Sequence, residues 1–291
     1  RVRYSMILNV VTALLNIVLD FLFLVVFRWG VAAAAAASCL SIALGTVLGF
    51  LPFVMGRLPL RFVRGTISAR QLGNILANGS SEFFSSIAGS VMMVILNSVL
   101  LRLSGSMAVA AFSIVMYVDS IVGSLLFGMA DSIQPAISYN YGARKPERVK
   151  KTIRLSVFYA ECIMLVGFCI FQFLPDKLLG LFAASDAMLA IGVPALRIIC
   201  PHFLLAGAGI VLSSVFQALG NGVFSLTVSI CRQLVVLIPA AWLLSRTGEV
   251  NMVWWAFIIA EVVSLALSLV FMARINRTVI VPLSEKQDAA V

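Results

Sequence analysis

Long stretches of this chain carry almost no charge, and they recur from one end to the other. An α-helix needs about 20 apolar residues, at 1.5 Å rise each, to cross a hydrocarbon core of roughly 30 Å. Runs of at least that length fill residues 5–27, 31–55, 74–102, 106–138, 152–174, 188–219, 222–245 and 251–273. Backbone polar groups in hydrocarbon have no water to bond, so each run must satisfy its own as helix. Composition closes the soluble route. Hydrophobic residues make up 62% of the 291 and charged residues 11%, with a mean hydropathy of +1.08, against about 25% charged in soluble domains. So few charges cannot cover a globular surface in water. The chain reads as an all-α polytopic membrane protein of eight transmembrane helices, with no soluble domain attached.

A net charge of +9 raises the question of nucleic acid, and its placement answers it. Alternate connections are basic. Arg1 and Arg3 precede the first span, and Arg57, Arg61, Arg64 and Arg70 follow the second. Arg144, Lys145, Arg148, Lys150, Lys151 and Arg154 follow the fourth. Arg232 is counted as lying just past the sixth, and Arg274, Arg277 and Lys286 follow the last. Together these are 16 of the 21 basic residues. The positive-inside rule then predicts both ends in the cytoplasm, as an even number of spans requires, in a multi-pass protein of the plasma (inner) membrane. The basic residues are topology signals, and no nucleic-acid partner is expected. Arg1 is not an initiator and no signal peptide precedes the first span, so the chain is expected to start part-way through a protein.

The five cysteines (Cys39, Cys162, Cys169, Cys200 and Cys231) fall in or beside apolar runs without disulfide or metal spacing. They read as small apolar-like residues. One histidine in the whole chain argues against a zinc site. The sequence has neither a His-x-x-x-His nor a Gly-x-Ser-x-Gly pattern, so a membrane-embedded protease or acyltransferase lacks its constellation. The protein is therefore not expected to be an enzyme or to need a cofactor.

Short turns join the spans: Trp29-Gly30, Ser104-Gly105-Ser106, Gly220-Asn221-Gly222 and Arg246-Thr247-Gly248. Residues 56–73 differ, carrying four arginines and an amphipathic pattern that suits a cytoplasmic linker along the membrane surface. The first two spans meet at Gly30 and the last two at Gly248, an offset of 248 − 30 = 218 residues. That echo suits same-facing six-helix repeats. The expected organisation is the end of one lobe at 1–55, the linker at 56–73, a complete six-helix lobe at 74–277, and a cytoplasmic tail at 278–291.

Polar side chains in mid-membrane cost about 2.5–3.5 kcal/mol each when ionisable, so they normally face a bundle interior or a wet cavity. Here they align by helical spacing. Asn9, Asn16 and Asp20 share a face of the first span. Asn78, Glu82, Ser86, Gly89, Met93 and Asn97 form a stripe on the third. Asp119, Gly123, Phe127, Asp131, Gln134 and Ser138 do so on the fourth, and His202, Ala206, Gly209, Ser213 and Gln217 on the sixth. The last span adds Glu261 with Ser264 and Ser268. Three stripes of the second lobe are positioned to converge on one cavity. Desolvation disfavours a charged carboxylate, which suits Glu82 and Asp119 to exchange protons or hold sodium. The candidate ion-coupling and substrate residues are Glu82, Asp119, Asn97, Gln217, Asp20 and His202. The competing role for each is a hydrogen bond to a neighbouring helix, contributing about 0.6 kcal/mol. Glu161 and Glu261 read chiefly that way. Asp131, nearer the cytoplasmic end, suits capping or pairing, and Pro194, Pro201 and Pro239 are expected to bend their helices.

Several stretches resemble the MATE (multidrug and toxic compound extrusion) family. Asn16-Ile17-Val18-Leu19-Asp20 followed by Trp29-Gly30-Val31-Ala32-Ala33-Ala34 is similar to the helix pair ending that family's first lobe. Gln134-Pro135-Ala136-Ile137-Ser138-Tyr139-Asn140-Tyr141-Gly142-Ala143 resembles the segment after its eighth helix. Phe216-Gln217-Ala218-Leu219-Gly220 and Arg232-Gln233 through Pro239 look like its tenth and eleventh helices. Gly79-Ser80-Ser81-Glu82-Phe83 is similar to the seventh helix of a multidrug branch where an acidic residue is common. The resemblance implies helices five to twelve of a twelve-helix, two-lobe fold. It implies a multidrug efflux antiporter, expected to be a monomer, exporting cationic or amphiphilic compounds in exchange for protons or sodium. A lipid-linked oligosaccharide flippase of the same superfamily is the alternative, and it would need a cationic cavity.

Overall fold

The structure, a computed structural model, describes residues 2–56, 68–182 and 185–282. Helix dominates, and no strand occurs among the described residues. The chain forms two compact units, Arg1–Ser68 and Ala69–Val291.

In the first unit, α1 (Val2–Asp20) runs on into a π-helical stretch (Phe21–Val26), and α2 (Val31–Val54) packs beside it. Hydrocarbon supplies no hydrophobic force between helices, so close packing and interhelical hydrogen bonds must hold them. Small residues on α2 allow that approach. Ala33, Ala37 and Ser41 recur every fourth residue and are buried. A β-carbon at Gly45 would come within 2.6 Å of Thr12 Oγ1. Asn16 donates from Nδ2 to Ser38 Oγ (3.3 Å), and the Tyr4 hydroxyl donates to Leu48 O (2.6 Å). Most of the expected linker, residues 57–67, lies outside the described residues, as does most of the expected tail, residues 283–291.

The second unit opens with α3 (Ala69–Gly142). Unbroken, 74 residues of helix would reach roughly 110 Å, several bilayer cores. Gly105 divides it: φ 75° and ψ −168° leave helical space, in a region open to glycine at little cost. The result is two spans, arms 69–104 and 106–142. The seven described helices long and apolar enough to cross a membrane therefore supply eight crossings. Large apolar side chains such as Val94, Tyr117, Phe158, Val166 and Val270 point outward, the surface a multi-pass protein presents to lipid.

After α3 come α4 (Pro146–Phe173), the short α5 (Pro175–Gly180) and α6 (Asp186–Ile199). Pro201 lies in a 3₁₀ turn (Cys200–His202) that joins α6 to α7 (Phe203–Ala218). α8 (Gly222–Ile230) passes into a π-helical stretch (Cys231–Leu237) before α9 (Ile238–Ser245). Pro239 lacks an N–H and crowds the carbonyl four residues back, which falls in that widened stretch. α10 (Val250–Ile275) completes the unit with a short π extension (Asn276–Ile280).

Packing is tight at the centre. Phe112 stacks on Trp254 with ring centroids 5.7 Å apart, and Phe171 meets Phe203 edge-on at 4.9 Å. α4 lies close against α7, where Glu161 Oε1 accepts from the backbone N–H of Ala208 at 2.8 Å. A β-carbon on Gly207 would lie 2.8 Å from that same oxygen, so only glycine admits the carboxylate there.

Candidate functional site

Polar side chains from α3, α7, α8, the following π stretch and α10 face one another inside the second unit. They enclose two chambers that share a wall. The larger is about 530 Å³ and is lined by Glu82, Ser85 and Ser86 from the first arm of α3, with Phe127, Asp131 and Gln134 from the second. α7 adds Gly209, Ser213 and Gln217, α8 adds Ser225 and Val228, and α10 adds Glu261 and Ser264. The stripes read on the third, fourth and sixth spans thus reach one cavity.

Gln217 is the hub of this chamber. Its amide Nε2 donates to Glu82 Oε2 and to Ser225 Oγ, both at 3.1 Å, and its Oε1 accepts from Gln134 Nε2 at 3.1 Å. An ionised carboxylate only accepts, so Glu82 dictates which way the Gln217 amide points. Ser225 Oγ lies 2.6 Å from Ser213 Oγ, and Ser138 Oγ donates to Ala218 O at 2.8 Å. One side chain therefore ties both arms of α3 to α7 and α8. Removing it would strand several partners at once, each at about 1–3 kcal/mol where buried.

The shared wall consists of Phe127, Ile210, Arg232, Gln233 and Glu261. Arg232 Nη1 donates to Glu261 Oε1 at 2.8 Å. Arg232 does not lie in a connection beside the cytoplasmic-side cations with which the sequence groups it. It sits in the π stretch at the middle of the Gly222–Ser245 span, paired within the bundle. The pairing is what makes this tolerable, since a lone guanidinium at that depth meets the full insertion cost. π-helical turns often occur at functional sites, and this one places Arg232 and Gln233 on both chambers.

The smaller chamber, about 230 Å³, is lined by Asp119 and His202 with a mainly apolar surround that includes Met116, Met164, Phe203 and Phe257. His202 Nε2 stands 3.7 Å from Asp119 Oδ1. His202 Nδ1 lies 2.8 Å from Ile199 O, and a carbonyl only accepts, so Nδ1 carries a hydrogen. Asp119 Oδ1 and Gln233 Oε1 are buried without a hydrogen-bond donor.

The remaining sequence candidates stand apart from these chambers. Asn97 follows Glu82 by 15 residues (97 − 82), roughly 22 Å along the helix. It lines neither chamber, and its Oδ1 is buried without a partner. Asp20 belongs to the first unit, at the junction of α1 with its π stretch, also with an unpartnered Oδ1. Arg232, Gln233 and Ser225 were not among the sequence candidates. The signal for Arg232 was its position, near the midpoint of a span bounded by two glycine turns.

Charge decides what the larger chamber attracts. Glu82, Asp131 and Glu261 supply carboxylates, and Arg232 is the one basic residue of its lining among the described residues. With Arg232 bound to Glu261, the formal balance favours a cation, and Phe127, Ile210 and Val228 offer it apolar contact.

Comparison with known proteins follows the same lines. A family model described as MatE matches residues 83–243. The multidrug export protein MepA of Staphylococcus saprophyticus is 26% identical over 281 residues, covering 94% of this chain and 61% of that protein. MepA of Staphylococcus aureus is 25% identical over 260 residues, covering 88% and 57%. Among solved structures, an outward-facing multidrug resistance MATE family transporter superposes with a TM-score of 0.86 at 25% identity, covering 96% of this chain and 63% of that one. A MOP superfamily transporter from Pyrococcus furiosus, described as having a binding pocket of reverse polarity that suggests a different function, gives 0.87 at 25%, with the same coverage. The chain spans about three-fifths of the length of the curated relatives it matches.

Proposed function

The chain belongs to the MATE family, and on that premise we propose that it works as an ion-coupled exporter of cationic, amphiphilic compounds, exchanging them for protons or sodium. The cavity opens first inward and then outward, in a monomer whose two ends face the cytoplasm. Coupling follows from differential binding: a proton or sodium ion held at carboxylates such as Glu82 favours one state and releases the substrate.

The observation that carries this reading is the charge of the larger chamber. Glu82 and Asp131 have no cationic partner among the chamber's lining, whereas Arg232 is committed to Glu261. The same observation disfavours the flippase, because a pyrophosphate needs free positive charge and here the guanidinium is already bound. The MepA relatives are named as multidrug export proteins, which supports a small-molecule substrate and a transporter rather than an enzyme.

The experiment is resistance of a drug-sensitive bacterial strain expressing the full-length protein. Expression raises tolerance to several cationic dyes, and Glu82→Gln abolishes that gain while the protein still reaches the membrane in normal amount. Undiminished resistance in Glu82→Gln would remove Glu82 from the mechanism.

A further inference from the structure

We propose that the smaller chamber is a single-proton site shared by Asp119 and His202, which makes the coupling ion of the exporter reading, on which this rests, a proton rather than sodium.

The argument begins at the ring of His202. Its Nδ1–H is engaged with Ile199 O at 2.8 Å, so a neutral imidazole presents a bare Nε2. That lone pair faces Asp119 Oδ1 at 3.7 Å. Two acceptors turned toward each other repel, and a single proton between them converts the pair to an attractive one. Asp119 Oδ1 is buried with no hydrogen-bond donor, so the carboxylate has no other source of compensation on that oxygen.

The surrounding charges give the same count. The titratable and charged side chains that line the chamber with Asp119 are His202 from the 3₁₀ turn, Arg232 from the π stretch and Glu261 from α10. α4 contributes Met164, and the first arm of α3 contributes Gly89 and Met92, none of them charged. With His202 neutral, two carboxylates face one guanidinium, and the chamber is one positive charge short. One proton closes the deficit. Sodium is a hard cation wanting several oxygen ligands. Here Glu261 Oε1 is already engaged by Arg232, and the position opposite Asp119 is a ring nitrogen amid methionine and phenylalanine side chains.

The shared wall supplies a link to transport. When the proton leaves, a negative charge appears in the chamber that Arg232 and Glu261 also line, so the field at the larger chamber changes. Protonation in one chamber then alters cation binding in the other without direct contact.

Nitrogen-15 histidine labelling, with His202→Gln identifying the signal that disappears, gives the His202 ring to observe by solid-state NMR in lipid bilayers. Nδ1 is expected to carry hydrogen throughout titration, and Nε2 to gain and lose one. Asp119→Asn is expected to lower the Nε2-protonated fraction, because the carboxylate that shares the proton is gone. Exchanging potassium for sodium in the buffer is expected to leave the wild-type signals in place. A ring protonated only at Nε2, a titration unmoved by Asp119→Asn, or a sodium-induced shift would each overturn the proposal. If Asp119→Asn does not fold, the wild-type tautomer and the sodium exchange still decide it. Efflux separates this inference from the exporter reading. No efflux under any gradient defeats the exporter alone, whereas proton-driven efflux persisting in both Asp119→Asn and His202→Gln defeats the proton site alone.

Discussion

Breaking the Arg232–Glu261 pair from its two sides is expected to have unequal consequences. At 2.8 Å and an effective dielectric of about 20, the Coulomb attraction is about 6 kcal/mol before desolvation. Removing one partner of a buried pair typically costs about 3–5 kcal/mol, mostly through the charge left behind. Glu261→Leu leaves a guanidinium that cannot lose its proton, so its cost stays near 3 kcal/mol or more at any working pH. Arg232→Met leaves a carboxylate that can be neutralised instead. Protonating an ordinary glutamate costs about 1.4 kcal/mol per pH unit above roughly 4.3, hence about 3.7 kcal/mol at pH 7 and about 1 kcal/mol at pH 5. Purified protein in detergent, unfolded thermally at both pH values, reads the difference. At about 2–4 °C per kcal/mol for a unit of this size, Arg232→Met should fall by roughly 7–15 °C at pH 7 but only a few degrees at pH 5. Glu261→Leu should fall by a similar amount at both. The double variant should recover to within about 1 kcal/mol of wild type. Equal losses at both pH values in Arg232→Met, or a double variant as unstable as the sum of the singles, would refute the claim that this pair acts as one unit.

Three further outcomes follow from close contacts. Gly105→Ala puts a β-carbon at φ 75° and should cost about 1–2 kcal/mol, seen as a lower thermal midpoint; an unchanged midpoint would mean the joint adjusts freely. Gly207→Ala drives a β-carbon onto Glu161 Oε1 and should cost about 1–3 kcal/mol, largely recovered when Glu161→Ala is added; no recovery would assign the clash elsewhere. Gln217→Leu removes three hydrogen bonds around Glu82 and should weaken cationic dye binding, read by fluorescence titration, at least about tenfold. Unaltered affinity would make Gln217 a packing residue only.

The spans were legible because the solvent imposes them: about 20 apolar residues must be helix in hydrocarbon, whatever their neighbours. The joint at Gly105 was legible as Ser104-Gly105-Ser106 for the same reason, since a helix through it would overrun the bilayer. The converging stripes came from helical periodicity alone, which puts Glu82 on one face and Gln217 on another but cannot pair them. Their contact spans 135 residues of sequence and depends on how α7 lies against α3. Arg232 was misjudged because charge counting assigns every cation to a connection, although this one falls near the midpoint of the Gly222–Ser245 span. Its partner Glu261 lies 29 residues on, in the next span, a contact that the periodicity of one span cannot reveal. Glu161 shows the converse: a carboxylate in a span that serves packing by bonding a neighbouring backbone.

Efflux from vesicles containing the full-length protein, with proton and sodium gradients imposed separately, tests the account most directly. The prediction is cationic dye export that follows the proton gradient, ignores sodium, and disappears in Glu82→Gln. Export that follows neither gradient, or that persists undiminished in Glu82→Gln, would contradict it.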